Sequence, residues 1–117
     1  MATDREPDDQ QLEGKVAIIS GAGAIKDGIG NGRAAAILLA RAGARIMAVD
    51  RDEELAAETA RLIEAEGGEA LAHAADVTEE AECEAMVALA MKTFGRVDVL
   101  DNNVGIGSSG SVVDEVI

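Results

Sequence analysis

Short apolar runs alternate along this chain with longer segments in which apolar positions recur at helical spacing. KVAIIS (15–20) is almost wholly apolar, as expected of a strand covered on both faces. Residues 33–42 are rich in alanine and leucine and stop at Gly43, which predicts a helix with a glycine end. ARIMAVD (44–50) reads as a second buried strand. Asp52 can cap a following helix that puts Leu55, Thr59, Leu62 and Ile63 on one face and ends at Gly67–Gly68. EALAHAAD (69–76) is a weaker third strand. Thr78 is the expected N-cap of a third helix, with Glu79 and Glu80 at the positive end of its dipole. That helix presents Cys83, Val87, Ala90 and Phe94 at i, i+4, i+7 and i+11, and ends at Gly95. VDVLD (97–101) is a fourth strand, followed by the glycine- and serine-rich NNVGIGSSGS.

Regular alternation of strand and helix calls for parallel strands joined by right-handed crossovers. With apolar strands buried on both sides, the expected fold is α/β: a three-layer, Rossmann-type doubly wound sheet, here of four strands in the order 3-2-1-4. Residues 1–13 are polar and acidic, hold the only proline, and read as a flexible tail. Residues 14–117 form the domain.

Composition narrows the partners. Nearly half of the 117 residues are hydrophobic and Phe94 is the only aromatic, so the core is aliphatic. The formal net charge of −13 speaks against nucleic acid and anionic membrane surfaces. There is no apolar run of membrane-spanning length, and MATDREPDDQQ does not read as a signal peptide, so the cytoplasm is expected. The single Cys83 cannot build a disulfide framework and reads as a small buried apolar residue.

Between the first strand and the first helix stands GAGAIKDGIGNG (21–32), in which five of twelve residues are glycine. A loop leaving strand 1 of such a sheet must turn sharply, let a ligand approach its backbone, and start a helix packed closely on the sheet. Glycine serves each need. The helix that follows directs free N–H groups and its positive end at the crevice where the strand order reverses, which favours a diphosphate. Asp50 ends strand 2, where an acid can accept hydrogen bonds from an adenosine ribose. His73 falls in the third strand and is expected to satisfy a local hydrogen bond.

Several motifs together resemble the short-chain dehydrogenase/reductase family over residues 12–107. SGAGAIKDGIGNG is similar to that family's TGxxxGxG loop, with Ser20 in place of threonine. ADV (75–77) resembles its Asp-Val pair after strand 3. NNVG (102–105) resembles its NNAG after strand 4, with Val104 for alanine, and FGRVDVL before it has the family's look. The resemblance implies a nicotinamide dinucleotide cofactor and hydride transfer to or from an alcohol or ketone. Gly21 would make the turn, with Gly30 and Gly32 the second and third glycines around Asn31. Asp50 would hold the adenosine ribose and favour NAD over NADP, while the neighbouring Arg51 leaves NADP possible. Asp76 and Val77 would flank the adenine. Asn103, Val104 and Gly105 would follow strand 4, Asn103 and Gly105 supporting it and lining the cleft. Full-length relatives usually form homo-oligomers.

The sequence also departs from that pattern. Eight residues separate Gly21 from Gly30, where the family has three between its first two glycines. A more literal register would use Gly28-Ile29-Gly30; counting back from Gly43 favours Gly30 and Gly32. The inserted AIKDG is expected to bulge over the phosphates, with Lys26 solvated and Asp27 turned outward in an Asp-Gly turn. Asp101 stands where an apolar residue is usual. The family's chemistry rests on a serine and a Tyr-x-x-x-Lys pair well downstream of Asn103. This sequence has no tyrosine and stops at Ile117, and Ser108, Ser109 and Ser111 fall too early. The chain therefore reads as the cofactor-binding part, inactive when alone. Two other classes remain in view: a non-catalytic nucleotide-binding or interaction module, and a Rossmann-type methyltransferase binding S-adenosylmethionine, against which NNVG speaks.

Overall fold

The structure, a computed structural model, describes residues 11–23 and 31–103. Seven elements alternate: β1 (Val16–Ser20), α1 (Asn31–Arg41), β2 (Arg45–Asp50), α2 (Glu53–Ala65), β3 (Ala70–Ala74), α3 (Glu80–Phe94) and β4 (Val99–Asn102). The four strands are all parallel and run β3-β2-β1-β4 across the sheet. This is the expected doubly wound order, with its reversal between β1 and β4.

Alternation along each buried strand divides the core in two. Ile18 and Met47 sit opposite each other in register and face α3, where Met86, Ala90 and Phe94 cover them. Ile19 and Ala48 face the other side, toward Ala36 of α1 and Ile63 of α2. Both faces of β1 and β2 are thus sealed by helices, which is why these strands read as unbroken apolar runs.

The helix ends follow from local chemistry. Asp52 caps α2, its carboxylate accepting from the N–H groups of Glu54 and Leu55 at 3.0 and 3.4 Å. Gly95 closes α3 in the left-handed conformation at φ +87° and donates its N–H to Met91 O. Arg41 grips Glu66 through two hydrogen bonds of 2.9 and 2.7 Å, tying the ends of α1 and α2 together.

Some expectations need correction. Helix α1 opens at Asn31, two residues before the alanine-rich run, so Gly32 lies inside it. Leu62 is exposed, and Ala56, Thr59, Ala60 and Ile63 are the buried residues of α2. In α3 the buried stripe is Met86-Ala90-Phe94, while Val87 is exposed and Cys83 is half-buried. That helix is apolar on more than one face, so spacing alone cannot choose its rotation. Thr78 is not the cap. Glu79 holds that position without a side-chain bond, and the Thr78 hydroxyl donates to Asp76 instead. His73 is half-buried on β3 and makes no hydrogen bond through its side chain among the described residues. Residues 11–13, assigned by composition to the tail, belong to a turn in which the Leu12 N–H donates to Ala42 O at 2.9 Å and the Leu12 side chain joins the core.

Candidate functional site

The carboxyl ends of β1, β2 and β4 meet along one rim of the sheet. Ser20, buried at the end of β1, donates its hydroxyl to Oδ1 of Asn102 across the β1–β4 pair. The next residue, Gly21, turns the chain at φ +69°, and a Cβ there would stand 2.5 Å from the carbonyl oxygen of Asn103. Any side chain at Gly21 would drive the two strand ends apart. Ala22 donates its N–H to Val49 O at 2.9 Å, carrying the chain across the end of β2. At the far end of the loop, Gly32 closes on the Gly21 carbonyl, and a Cβ on Gly32 would also lie 3.0 Å from the Ala22 Cα. The first turn of α1 is therefore seated against the first turn of the loop, backbone on backbone.

Asp50 holds this arrangement from below. Its Oδ2 accepts the Gly23 N–H at 3.0 Å and its Oδ1 accepts the Asp52 N–H at 2.9 Å. A carboxylate has about four acceptor positions. Two serve the loop and the start of α2, which leaves capacity for hydroxyl donors from a ligand.

Beside it, Arg51, Ala74, Ala75, Asp76 and Glu82 line an open depression of about 260 Å³. The Asp76 carboxyl titrates below the ordinary aspartate range because the Thr78 hydroxyl donates to it at 2.6 Å and the Thr78 N–H at 3.0 Å, with the charge of Arg51 a minor cause. Glu82 reaches back from α3 to accept the Asp76 N–H at 2.6 Å. Val77 packs against the α3-side core, and its carbonyl accepts from the Cys83 thiol at 3.1 Å.

Asn103 closes the crevice on the β4 side. Its backbone N–H donates to Ser20 O at 3.2 Å, while its side-chain Nδ2 is buried with no hydrogen-bond partner among the described residues. Buried amide donors are ordinarily satisfied, so an orphan here fits a site built to receive an acceptor from a ligand. Of the residues singled out in the sequence, Gly21, Gly32, Asp50 and Asn103 meet at this rim, Arg51 and Asp76 line the depression beside it, Val77 packs against the α3-side core, and Asn31 opens α1. Gly28, Gly30, Val104 and Gly105 lie outside the described residues, as do Lys26 and Asp27. Among the described residues no cluster of three or more metal-ligating side chains occurs, and no helix is long and apolar enough to cross a membrane.

Two residues of the site were not legible as such. Thr59 of α2, fully buried, donates its hydroxyl to Ala22 O at 3.0 Å and accepts from Arg33 Nε at 2.8 Å. Arg33 also reaches Leu55 O and Glu58 on α2. The one available signal was a threonine on an otherwise apolar helix face, since a buried hydroxyl needs a partner.

Comparison with known proteins identifies the family. A model of the family described as short chain dehydrogenase matches residues 15–116. The chain belongs to that family. An uncharacterised oxidoreductase of Thermotoga maritima is 41% identical over 101 residues, which are 86% of this chain and 38% of the relative. The 7α-hydroxysteroid dehydrogenase of Escherichia coli is 40% identical over 100 residues, 86% of this chain and 37% of the relative. The solved structure of a 7α-hydroxysteroid dehydrogenase complexed with NADH and 7-oxoglycochenodeoxycholic acid superposes with a TM-score of 0.78 at 38% identity, covering 88% of this chain and 38% of that one. The present chain thus spans about two fifths of the length of the family members it matches. Fold and strand order agree with theirs, as the motifs implied.

Proposed function

We propose that the rim formed by the ends of β1, β2 and β4 binds nicotinamide adenine dinucleotide, and that this chain is the cofactor-binding part of an oxidoreductase acting on an alcohol or ketone. The observation that carries the reading is the closed set of contacts at the loop. Gly32 seats α1 on Gly21, Gly21 abuts Asn103, and Gly23 hangs on the carboxylate of Asp50. A Cβ would fill the cradle at either glycine, and the buried Nδ2 of Asn103, without a partner among the described residues, lies beside Gly21. These features fit a dinucleotide.

In this reading the free N–H groups of the first turn of α1 face the diphosphate, favoured by the helix dipole. The spare acceptor positions of Asp50 take the adenosine ribose hydroxyls, and its charge opposes a 2′-phosphate, so NAD is preferred over NADP. Exposed Arg51 softens that preference. The depression lined by Arg51, Asp76 and Glu82 receives the adenine. The seating of Gly32 supports the register in which Gly30 and Gly32, rather than Gly28 and Gly30, meet the cofactor. The cofactor supplies a hydride acceptor or donor; this chain's residues bind it and orient it. With no tyrosine in the sequence, the chain alone turns nothing over. A hydroxysteroid is a reasonable first substrate for the longer protein, because the E. coli relative carries that name. A cytoplasmic home and a homo-oligomeric whole protein belong to the same reading, the former supported by a single, free cysteine.

Calorimetric titration of the purified chain with NADH, NADPH and S-adenosylmethionine tests this. Saturable binding of NADH, weaker binding of NADPH and none of S-adenosylmethionine is the expected result. Binding of S-adenosylmethionine alone would overturn the assignment.

A further inference from the structure

The carbonyl of Ala22 and the N–H of Gly23 belong to one peptide group, and that group is held at both ends. Its oxygen accepts from the Thr59 hydroxyl at 3.0 Å; its N–H donates to Asp50 Oδ2 at 3.0 Å. Next to glycine, a peptide plane can rotate at little steric cost. Rotation here would swing a carbonyl toward the Asp50 carboxylate and leave the buried Thr59 hydroxyl facing an N–H. The two contacts therefore select one orientation of the plane.

Thr59 is itself held. Its Oγ1 lies 3.0 Å from Ala22 O against 3.3 Å from Leu55 O, so the single hydroxyl proton favours Ala22, while Arg33 Nε donates to that Oγ1 at 2.8 Å. Arg33 occupies the first turn of α1, where the dipole disfavours a cation and where the turn itself holds no acidic residue. Its side chain is 16% exposed, and among the described residues its partners all belong to α2: Leu55 O, Glu58 and Thr59. An arginine so placed works against the helix unless it serves a position. Here it ties the start of α1 to the same hydroxyl that fixes the loop.

We infer that Thr59, supported by Arg33, is a positioning residue for the cofactor. It touches no ligand, but it orients the Ala22–Gly23 peptide, which sets Asp50 toward the ribose and α1 toward the diphosphate. This deepens the reading above and rests on it for the ligand.

The experiment compares wild type with Thr59→Val, which keeps the shape and removes the hydroxyl, with Thr59→Ser, which restores it, and with Arg33→Met. Amide hydrogen exchange is followed by NMR, and NADH affinity by titration. Thr59→Val is expected to lower the exchange protection of Gly23 about tenfold and to weaken NADH by a similar factor, the scale of one buried hydrogen bond, while protection in β2 stays unchanged. Thr59→Ser returns both to within about twofold, and Arg33→Met shifts both in the same direction by less. Unchanged Gly23 protection in Thr59→Val overturns the inference, as does a serine variant that behaves like valine. Should Thr59→Val not fold, Arg33→Met decides by the same two readouts. If wild type binds no dinucleotide, the functional reading fails, yet Gly23 protection still decides the clamp.

Discussion

Gly32 packs its Cα against the carbonyl of Gly21, closer than any side chain would permit. Backbone lies on both sides, so neither can yield by a rotamer change. We expect Gly32→Ala to displace α1 from the loop at a cost of about 3 kcal/mol, the upper end of overpacking penalties. Urea denaturation measures the loss, and NADH affinity should fall at least about tenfold with it. A variant as stable as wild type would show that α1 is not seated on the loop.

Asp50 bridges the loop and the start of α2 through two backbone N–H groups. Asp50→Asn keeps the shape but can accept through one oxygen only. Loss of one charge-assisted bond costs about 1.5–3 kcal/mol of stability. The same change removes the negative charge facing a 2′-phosphate, so the ratio of NADPH to NADH affinity should rise. Parallel titrations with the two cofactors check this; an unchanged ratio would mean that the ribose lies elsewhere.

Asp98, just before β4, accepts from Arg96 at 2.8 and 2.9 Å and from the buried Val16 N–H at 2.8 Å. Arg96 first and the Val16 N–H second hold its carboxyl below the ordinary aspartate range. Its contribution is therefore complete above the unfolded pKa of about 4 and disappears as pH falls through the lower folded value. Asp98→Asn should be less stable than wild type at pH 7, and the two should converge well below pH about 4. Urea midpoints across that range follow the gap. A gap as wide in acid as at neutrality would contradict the assignment.

Met86 and Val87 are neighbours on α3 with opposite environments. Met86 is 2% exposed and Val87 37%. Met86→Ala should cost about 2–5 kcal/mol, and Val87→Glu should stay within about 0.5 kcal/mol of wild type. Equal losses would mean that α3 is rotated toward the face the sequence suggested.

That contrast marks where the sequence stops being informative. KVAIIS and ARIMAVD were readable as buried strands because helices cover both of their faces, and the sheet order followed from alternation alone. Helix rotation was not readable in α3, where Cys83, Val87, Met86 and Leu89 offer overlapping apolar stripes. Within the site, glycines and acids at strand ends carried their own signal, since only those residue types suit turns and hydroxyl donors. Thr59 carried only the hint of a hydroxyl on an apolar helix face, because its role depends on two partners distant in the chain, Ala22 and Arg33. The Thr78 cap failed for a similar reason: Asp76 competes for the hydroxyl two residues away.

The central claim is that the glycine loop and Asp50 cradle a dinucleotide. Amide chemical-shift mapping of the labelled chain during titration with NADH tests it most directly. The account predicts saturable shifts at Gly21, Gly23, Gly32, Asp50, Asp76 and Asn103, with α3 beyond Met86 unaffected. Shifts confined to other surfaces, or none at saturating NADH, would contradict it.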